Sequence, residues 1–141
     1  MIIRKLQLND YNINYFNLLN QLSDSPYPDE NKFNSFIYSL NDNHQIFVLL
    51  DDSLKNYLGT YSIFIESKLI HNISKIAHLE DLIINDKYRN LGYGKLLLNH
   101  AIDYAKQFNC YKIILNCNFD KQLFYEKCGF QNNGLQMSIY F

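Results

Sequence analysis

The spacing of apolar residues predicts a chain of alternating strands and helices. Residues 2–8 alternate well enough for a first strand, and apolar runs at 44–52, 57–66 and 73–85 predict three more in succession. Two helices are predicted between the first and second strands. One begins after Asp10, which would cap it, and the other follows Pro28.

Helices and strands alternate in the second half of the chain. The spacing predicts a helix that ends near Phe108, a short buried parallel strand at 110–117 and a short helix capped by Asp120 and ended by Gly129. The tail, 135–141, reads as a last strand. The order is β-α-α-β-β-β-α-β-α-β, which predicts one α/β domain, 1–141, with a mixed sheet and helices on both faces.

Composition and charge exclude several classes of function. The chain has 141 residues and a net charge of −1, so no basic field would attract nucleic acid. No apolar run approaches the ~18 residues of a membrane span, so no membrane association is expected. Three cysteines do not suit a disulfide framework, and the four histidines show no metal-ligand spacing. We therefore expect a cytoplasmic protein without a metal.

A glycine-rich loop stands between the fourth predicted strand and the long helix. It reads Arg89-Asn90-Leu91-Gly92-Tyr93-Gly94 and is followed by Lys95. Glycines let successive backbone N–H groups face one concavity, and the helix N-terminus adds positive potential, so the loop suits a pyrophosphate. It is neither G-x-G-x-x-G, because Leu97 replaces the third glycine, nor a Walker loop. On the loop alone, an incidental pair of helix-capping glycines remains open.

The motif Arg89-x-x-Gly92-x-Gly94 after an apolar strand resembles the acetyl-CoA loop of the GNAT acetyltransferase superfamily. The stretches "HLEDLIIN", "CYKIILNC" and "FYEKCGF" resemble the glucosamine 6-phosphate N-acetyltransferase family. The resemblance is strong over residues 68–137 and only topological before Tyr57. It implies the GNAT fold, with a mixed, mostly antiparallel sheet that is splayed and flanked by helices on both faces.

The resemblance also implies how acetyl-CoA would bind. The backbone of Leu82, Ile83 and Ile84 would pair with the pantetheine arm, and one N–H would bind the thioester carbonyl. The pyrophosphate would be held by the loop, whose residues are Asn90, Leu91, Gly92, Tyr93, Gly94 and Lys95, reinforced by Arg89. Phe124 would pack against the cofactor or the core, and Tyr125 would give a proton to the departing thiolate. Plain core packing remains the alternative for these residues.

The expected acceptor site is built around two adjacent carboxylates. Glu80 and Asp81 are neighbours on a strand, which predicts side chains on opposite faces of the sheet. By resemblance both contact an amino sugar. Lys68 and His71 stand at the family's phosphate-contacting positions, and Tyr111 and Lys112 match a "YK" pair that also meets the substrate. For each of these four, an ordinary surface role is the alternative.

Two positions depart from the family pattern. Asn116 stands where these enzymes carry an acidic residue, so either a water chain ending at Glu80 or Asp81 acts as the base, or the amine arrives neutral and Asn116 orients it. Tyr140 stands where the family has an arginine that crosses the dimer to the substrate phosphate. Tyrosine can hydrogen-bond a phosphate but brings no charge.

The implied reaction is direct transfer of the acetyl group of acetyl-CoA to the amine of D-glucosamine 6-phosphate, in a homodimer joined through the C-terminal strand. Two other readings stay open. The acceptor could be another amino sugar or small amine, or the chain could be a CoA-binding module without catalysis.

Overall fold

The computed structural model describes residues 1–141, which form five strands, five α-helical segments and three short 3-10 turns. The strands are β1 (Ile2–Lys5), β2 (His44–Leu50), β3 (Tyr57–Ser67), β4 (Lys75–Ile84) and β5 (Cys110–Leu115). The helical segments are α1 (Ile13–Leu19), α2 (Glu30–Ser39), a single left-handed turn α3 (Ile70–Ile73), α4 (Tyr93–Gln107) and α5 (Gln122–Lys127).

The five strands form one mixed sheet in chain order. β1 to β4 pair as an antiparallel meander, and β5 joins β4 in parallel after the crossover through α4. The predicted mixed, mostly antiparallel sheet is therefore confirmed. A parallel neighbour needs such a crossover, and the apolar stripe of α4 supplies a helix that packs on the sheet.

Helices cover both faces of the sheet, as predicted. On one side, which we name the α4 face, Leu97, Leu98 and Ala101 of α4 pack against strand residues such as Tyr61 and Leu79. On the other, the α1–α2 face, Leu18 and Phe33 pack against Val48, Leu50 and Ile83. No buried residue of this second cluster comes from residues 75–81 or from β5, so that part of the α1–α2 face lies outside the helix-covered core.

The prediction that Asp10 caps α1 is wrong. Asn12 takes that position, and its side-chain oxygen accepts the N–H of Asn14 at 2.8 Å. The second helix begins as expected after Pro28, with Asp29 accepting two N–H groups of the first turn. Asp120 does not cap α5, because a 3-10 turn at Phe119–Lys121 comes first. Gly129 does follow the end of α5, in the left-handed region with φ 92°.

Asp10 is instead a buried anchor for the N-terminal half. Its carboxylate receives two hydrogen bonds from the Arg4 guanidinium at 2.7 and 2.8 Å, one from the Tyr57 hydroxyl at 2.7 Å and one from the Gln7 N–H at 2.7 Å. Burial would raise the pKa of Asp10, but Arg4, Tyr57 and Gln7 outweigh it and hold that pKa below its ordinary value. The carboxylate therefore ties β1 and β3 together as an ion.

A bulge interrupts β4 at Asp81. Thr60 pairs with Ile83 and Ser62 pairs with Glu80, so between these pairs one residue of β3 lies opposite two of β4. Asp81 adopts φ 52°, a left-handed conformation that Asp tolerates better than most residues. The extra residue reverses which side chains of β4 point to which face of the sheet. Leu79 packs on the α4 face, whereas Ile83, four residues later, packs on the α1–α2 face.

Gly59 lets the end of β4 lie close to β3. A Cβ at this position would lie 2.7 Å from the Ile83 carbonyl oxygen, 2.6 Å from Ile84 Cδ1 and 2.9 Å from Leu97 Cδ1. Gly59 is paired with Ile84, directly beyond the bulge. A glycine within a strand pattern signals such an approach.

Two further expectations fail at the C-terminal half. β5 is parallel but only half-buried, and its residues Tyr111 and Lys112 are exposed. The last strand predicted at 135–141 is absent, and the segment has no regular secondary structure. Its side chains find no partner within the chain.

We expect Asp10→Ala to lower the free energy of unfolding by about 3 kcal/mol, because it leaves the half-buried Arg4 without its counter-ion. Urea unfolding at neutral pH measures this. Asp103→Ala, which removes an exposed carboxylate, should change stability by less than about 0.5 kcal/mol. The Asp10 contribution should be complete above about pH 4 and lost as the pH falls through the lowered pKa of the folded state. A cost below about 1 kcal/mol would contradict this role.

Gly59→Ala should destabilise the protein by about 1–3 kcal/mol, because the added methyl meets backbone as well as side chains. Gly94→Ala is the comparison, since its Cβ would meet side-chain atoms alone, the Phe124 ring at 3.2 Å and Ile84 Cγ1 at 3.8 Å. Thermal unfolding of both variants should rank Gly59→Ala as the more costly. The reverse ranking would show that β4 does not need this close approach.

Candidate active site

β4 and β5 separate at the centre of the sheet. Their parallel pairing ends at Leu79 and Leu115, yet β4 continues to Ile84. Residues 80–84 therefore pair with β3 alone and turn their other edge into an opening. The predicted splay at a bulge is present, and Leu82, Ile83 and Ile84 lie on it.

The glycine loop presents six successive backbone N–H groups without an acceptor. No N–H of residues 90–95 donates to a backbone or side-chain oxygen of the chain, and the first bond of the segment runs from the Leu96 N–H to the Gly92 oxygen at 3.1 Å. No side chain caps the N-terminus of α4. Unpaired donors at a helix N-terminus attract an anion.

Conformation within the loop explains its two glycines. Gly92 has φ 85° with open space around it, so the left-handed backbone is what requires glycine there. Gly94 instead lies against the Phe124 ring, which places α5 beside the loop. Arg89 forms an ion pair with Asp86 and donates its Nε–H to the Ile84 oxygen at 3.3 Å. Leu91 and Lys95 are exposed.

Tyr125 lies on α5, half-buried between Phe124 and Phe130, with ring centroids 5.0 and 5.9 Å away. Burial, with smaller contributions from Cys117 and Cys128, raises the pKa of Tyr125 to about 12. The phenol therefore keeps its proton at neutral pH. A protonated hydroxyl in a partly dry setting can serve as a proton donor.

Glu80 and Asp81 lie on the same face of the sheet, which corrects the expectation that they point to opposite faces. Ser62 pairs with Glu80 across the strands, and its hydroxyl donates to Asp81 Oδ2 at 3.4 Å. The bulge brings both carboxylates to one face, since it adds to β4 a residue, Asp81, that has no partner on β3. Burial, and then the neighbouring Asp81 charge, raise the pKa of Glu80, while His78 opposes the rise.

The four predicted phosphate and sugar contacts fall into two groups. His71, Tyr111 and Lys112 lie together, because the His71 ring is 4.7 Å from the Tyr111 ring and Lys112 Nζ is 5.4 Å from it. Lys68 instead pairs with Glu66, which also contacts His78. His78 and Glu80 alternate with Ala77 and Leu79 along β4, so both belong to the α1–α2 face.

The two positions that depart from the family pattern are both solvent-exposed. Asn116 is the first residue after β5, beyond the last β4–β5 pair. Tyr140 is 93% exposed, and the tail around it exposes Leu135, Met137, Ile139 and Phe141. The structure does not bring Tyr140 to the other candidate residues within one chain.

Three contributors were missed at the sequence level. Ser62 is buried and binds Asp81, Gly59 makes room for β4, and Glu66 organises Lys68 and His78. Gly59 alone carried a signal, as a glycine inside a strand pattern. The other two depend on strand register, which composition does not specify.

No group of three or more His, Cys, Asp and Glu side chains is placed to hold a metal ion. None of the helices has the length and hydropathy to cross a membrane. The three cysteines are free thiols.

Comparison with known proteins agrees with this geometry. The model of the acetyltransferase (GNAT) family matches residues 8–130. The glucosamine 6-phosphate N-acetyltransferase of Arabidopsis thaliana is 34% identical over 99% of this chain and 95% of its own length. Glucosamine 6-phosphate N-acetyltransferase 1 of Dictyostelium discoideum is 34% identical over 97% of this chain and 88% of its own.

Solved structures give the same result. The crystal structure of glucosamine-6-phosphate N-acetyltransferase from Arabidopsis thaliana superposes with a TM-score of 0.94, at 33% identity, over 99% of this chain and 97% of that one. With its mixed sheet, its splayed fourth strand and its unpaired N–H loop, the chain belongs to the GNAT acetyltransferase family.

Proposed function

We propose that residues 1–141 form one acetyltransferase domain that transfers the acetyl group of acetyl-CoA to the amine of D-glucosamine 6-phosphate, for UDP-N-acetylglucosamine synthesis. The observation that carries the reaction type is the row of six unpaired N–H groups at the end of a splayed strand. The acceptor is inferred from relatives of that name that match nearly the whole chain.

The residues present fit acetyl-CoA, the cosubstrate that the GNAT family uses. Bound acetyl-CoA supplies an acetyl group activated as a thioester. The N–H groups of Asn90–Lys95 would hold its pyrophosphate, and the free edge of Leu82–Ile84 would pair with its pantetheine arm. A backbone N–H of that edge would stabilise negative charge on the thioester oxygen.

Tyr125 would act as the general acid. The acceptor nitrogen forms a bond to the acetyl carbon, the carbon–sulfur bond breaks, and Tyr125 donates its proton to the sulfur. The Tyr125 phenol carries that proton at neutral pH, as a general acid must. No covalent enzyme intermediate is needed, so the cysteines take no part.

Glu80 and Asp81 would receive the proton that the amine loses. Both carboxylates lie at the bulge, and the raised pKa of Glu80 makes it a stronger base than an ordinary glutamate. Asn116 has no basic group and would orient the amine or the water between it and Glu80.

Lys112, His71 and Lys68 would bind the phosphate, and Tyr111 would contact the sugar. Lys112 shares the α1–α2 face with Glu80, since it pairs with Ile76. Cations and carboxylates on one uncovered surface suit a small zwitterionic sugar.

The tail provides the reason to propose a homodimer. Leu135, Met137 and Ile139 recur at every second position and are 78–95% exposed, a strand pattern without a partner in its own chain. A second copy would cover it and bring Tyr140 to the neighbouring site. Location in the cytoplasm and the absence of a nucleic-acid partner remain predictions from the sequence.

Release of CoA, followed by thiol titration, tests the proposal with glucosamine 6-phosphate and unphosphorylated glucosamine side by side. We expect turnover with kcat/KM at least tenfold higher for the phosphorylated sugar. Equal use of both sugars would point to another amino sugar or small amine. Binding of CoA without turnover would point to a CoA-binding module.

Tyr125→Phe should lower kcat about 10²-fold or more, because no other group would protonate the thiolate, while the affinity for CoA stays within about twofold. Tyr38→Phe is the control, since it removes an exposed hydroxyl on α2. Steady-state kinetics and calorimetric titration with CoA measure the two quantities. An unchanged kcat would remove Tyr125 from the mechanism.

Lys112→Ala should raise the KM for glucosamine 6-phosphate about tenfold and leave the KM for acetyl-CoA unchanged, because one cation facing the phosphate is lost. Lys106→Ala removes an equal charge on α4 and should have no effect. An unchanged KM in Lys112→Ala would contradict the phosphate assignment.

A further inference from the structure

Glu66, which the mechanism does not use, contacts both Lys68 and His78. Glu66 Oε1 accepts a hydrogen bond from Lys68 Nζ at 2.5 Å, and Glu66 Oε2 lies 2.8 Å from His78 Nε2. Lys68 and then His78 lower the pKa of Glu66, so the carboxyl group is ionised at neutral pH.

These contacts determine which ring nitrogen of His78 faces Glu66. An ionised carboxylate only accepts hydrogen bonds, so Nε2 must carry the hydrogen that points to Glu66. Nδ1 then has no partner in the protein. It must be accessible to solvent, because no buried side-chain nitrogen or oxygen lacks a hydrogen-bond partner. Nδ1 is therefore the open edge of a ring whose orientation Glu66 holds.

The distance between His78 and Glu80 matches the length of an acceptor molecule. His78 and Glu80 are two residues apart on one face of β4, a separation of about 7 Å. A six-membered sugar with one extra group has a similar length. The ring lies between Phe64 of β3 and Ile114 of β5, with Lys112 diagonally across on β5.

The balance of charge differs between the two sides of His78, since Glu66 is the single carboxylate on the side that holds two lysines. The carboxylates of Glu80 and Asp81 lie on the side of the bulge, and the cations Lys68 and Lys112 lie on the side of Glu66. An acceptor with an amine at one end and an acidic group at the other would align with this polarity, with His78 between its ends.

Resting on the proposed function, we propose that His78 is a specificity-determining residue whose Nδ1 edge binds the acidic end of the acceptor, and that Glu66 is the positioning residue that holds the ring. A protonated ring would donate Nδ1–H to a phosphate oxygen in a charge-assisted hydrogen bond. This contact would supply a positive charge at a site where Tyr140 brings none.

Steady-state kinetics of the full chain at saturating acetyl-CoA test the inference, with glucosamine 6-phosphate and glucosamine as acceptors. His78→Gln should raise the KM for the phosphorylated sugar about tenfold and leave kcat within about twofold. It should not change kcat/KM for glucosamine. His78→Arg, which keeps a cation that can also pair with Glu66, should restore the KM to within about threefold of the wild type.

Glu66→Gln separates positioning from binding. The amide oxygen can still accept the Nε2–H, but its charge is gone, so the KM should rise about threefold, less than in His78→Gln. A merely structural role would lower the unfolding temperature of both variants and weaken both acceptors alike, which would overturn the inference.

Wild-type turnover distinguishes the two proposals. Turnover of glucosamine 6-phosphate with an unchanged KM in His78→Gln would overturn the role of His78 and leave the proposed function standing. Absence of wild-type turnover would overturn both.

Discussion

The extra residue at Asp81 is the constraint on which the site depends. It lets β4 continue along β3 while its facing reverses, so that Leu79 packs against α4 and Ile83 against α1 and α2. Beyond the same point β5 no longer accompanies β4. One insertion therefore opens the sheet and places two carboxylates beside the opening.

The surrounding core holds this irregular strand in place. Gly59 has no side chain at a point where a Cβ would push the end of β4 away. Helix α4 packs against the same part of the sheet through Leu97. On the other face, the Asp10 carboxylate fastens β1 to Tyr57 of β3, which steadies the strand that β4 pairs with. A left-handed Asp costs on the order of 1 kcal/mol, which these contacts offset.

The two ends of the candidate site differ in the charges that they would bind. Unpaired N–H groups and a helix N-terminus make one end suitable for a pyrophosphate, and the α1–α2 face offers carboxylates followed by cations. Burial and the neighbouring Asp81 charge raise the pKa of Glu80. Tyr125 lies on α5, and Phe124 of the same helix packs against Gly94 of the loop.

The sequence predicted what periodicity and local chemistry can specify. The strands, the long helix α4 and the glycine loop follow from patterns within single segments, and the order of the elements predicted a mixed sheet. The shared face of Glu80 and Asp81 could not be predicted, because a bulge is defined by the partner strand. The predicted cap at Asp10 was wrong for a related reason, since the Asp10 carboxylate binds Arg4 of another element. The tail strand was predicted from alternation alone, but a strand needs a neighbour.

Amide hydrogen exchange with and without acetyl-CoA tests the central claim most directly. Exchange should slow at least tenfold at residues 90–95, whose N–H groups are unpaired, and at those residues of 82–84 whose N–H groups face the opening rather than β3, while β1 and β2 stay unchanged. Binding of acetyl-CoA without protection of either segment would contradict it.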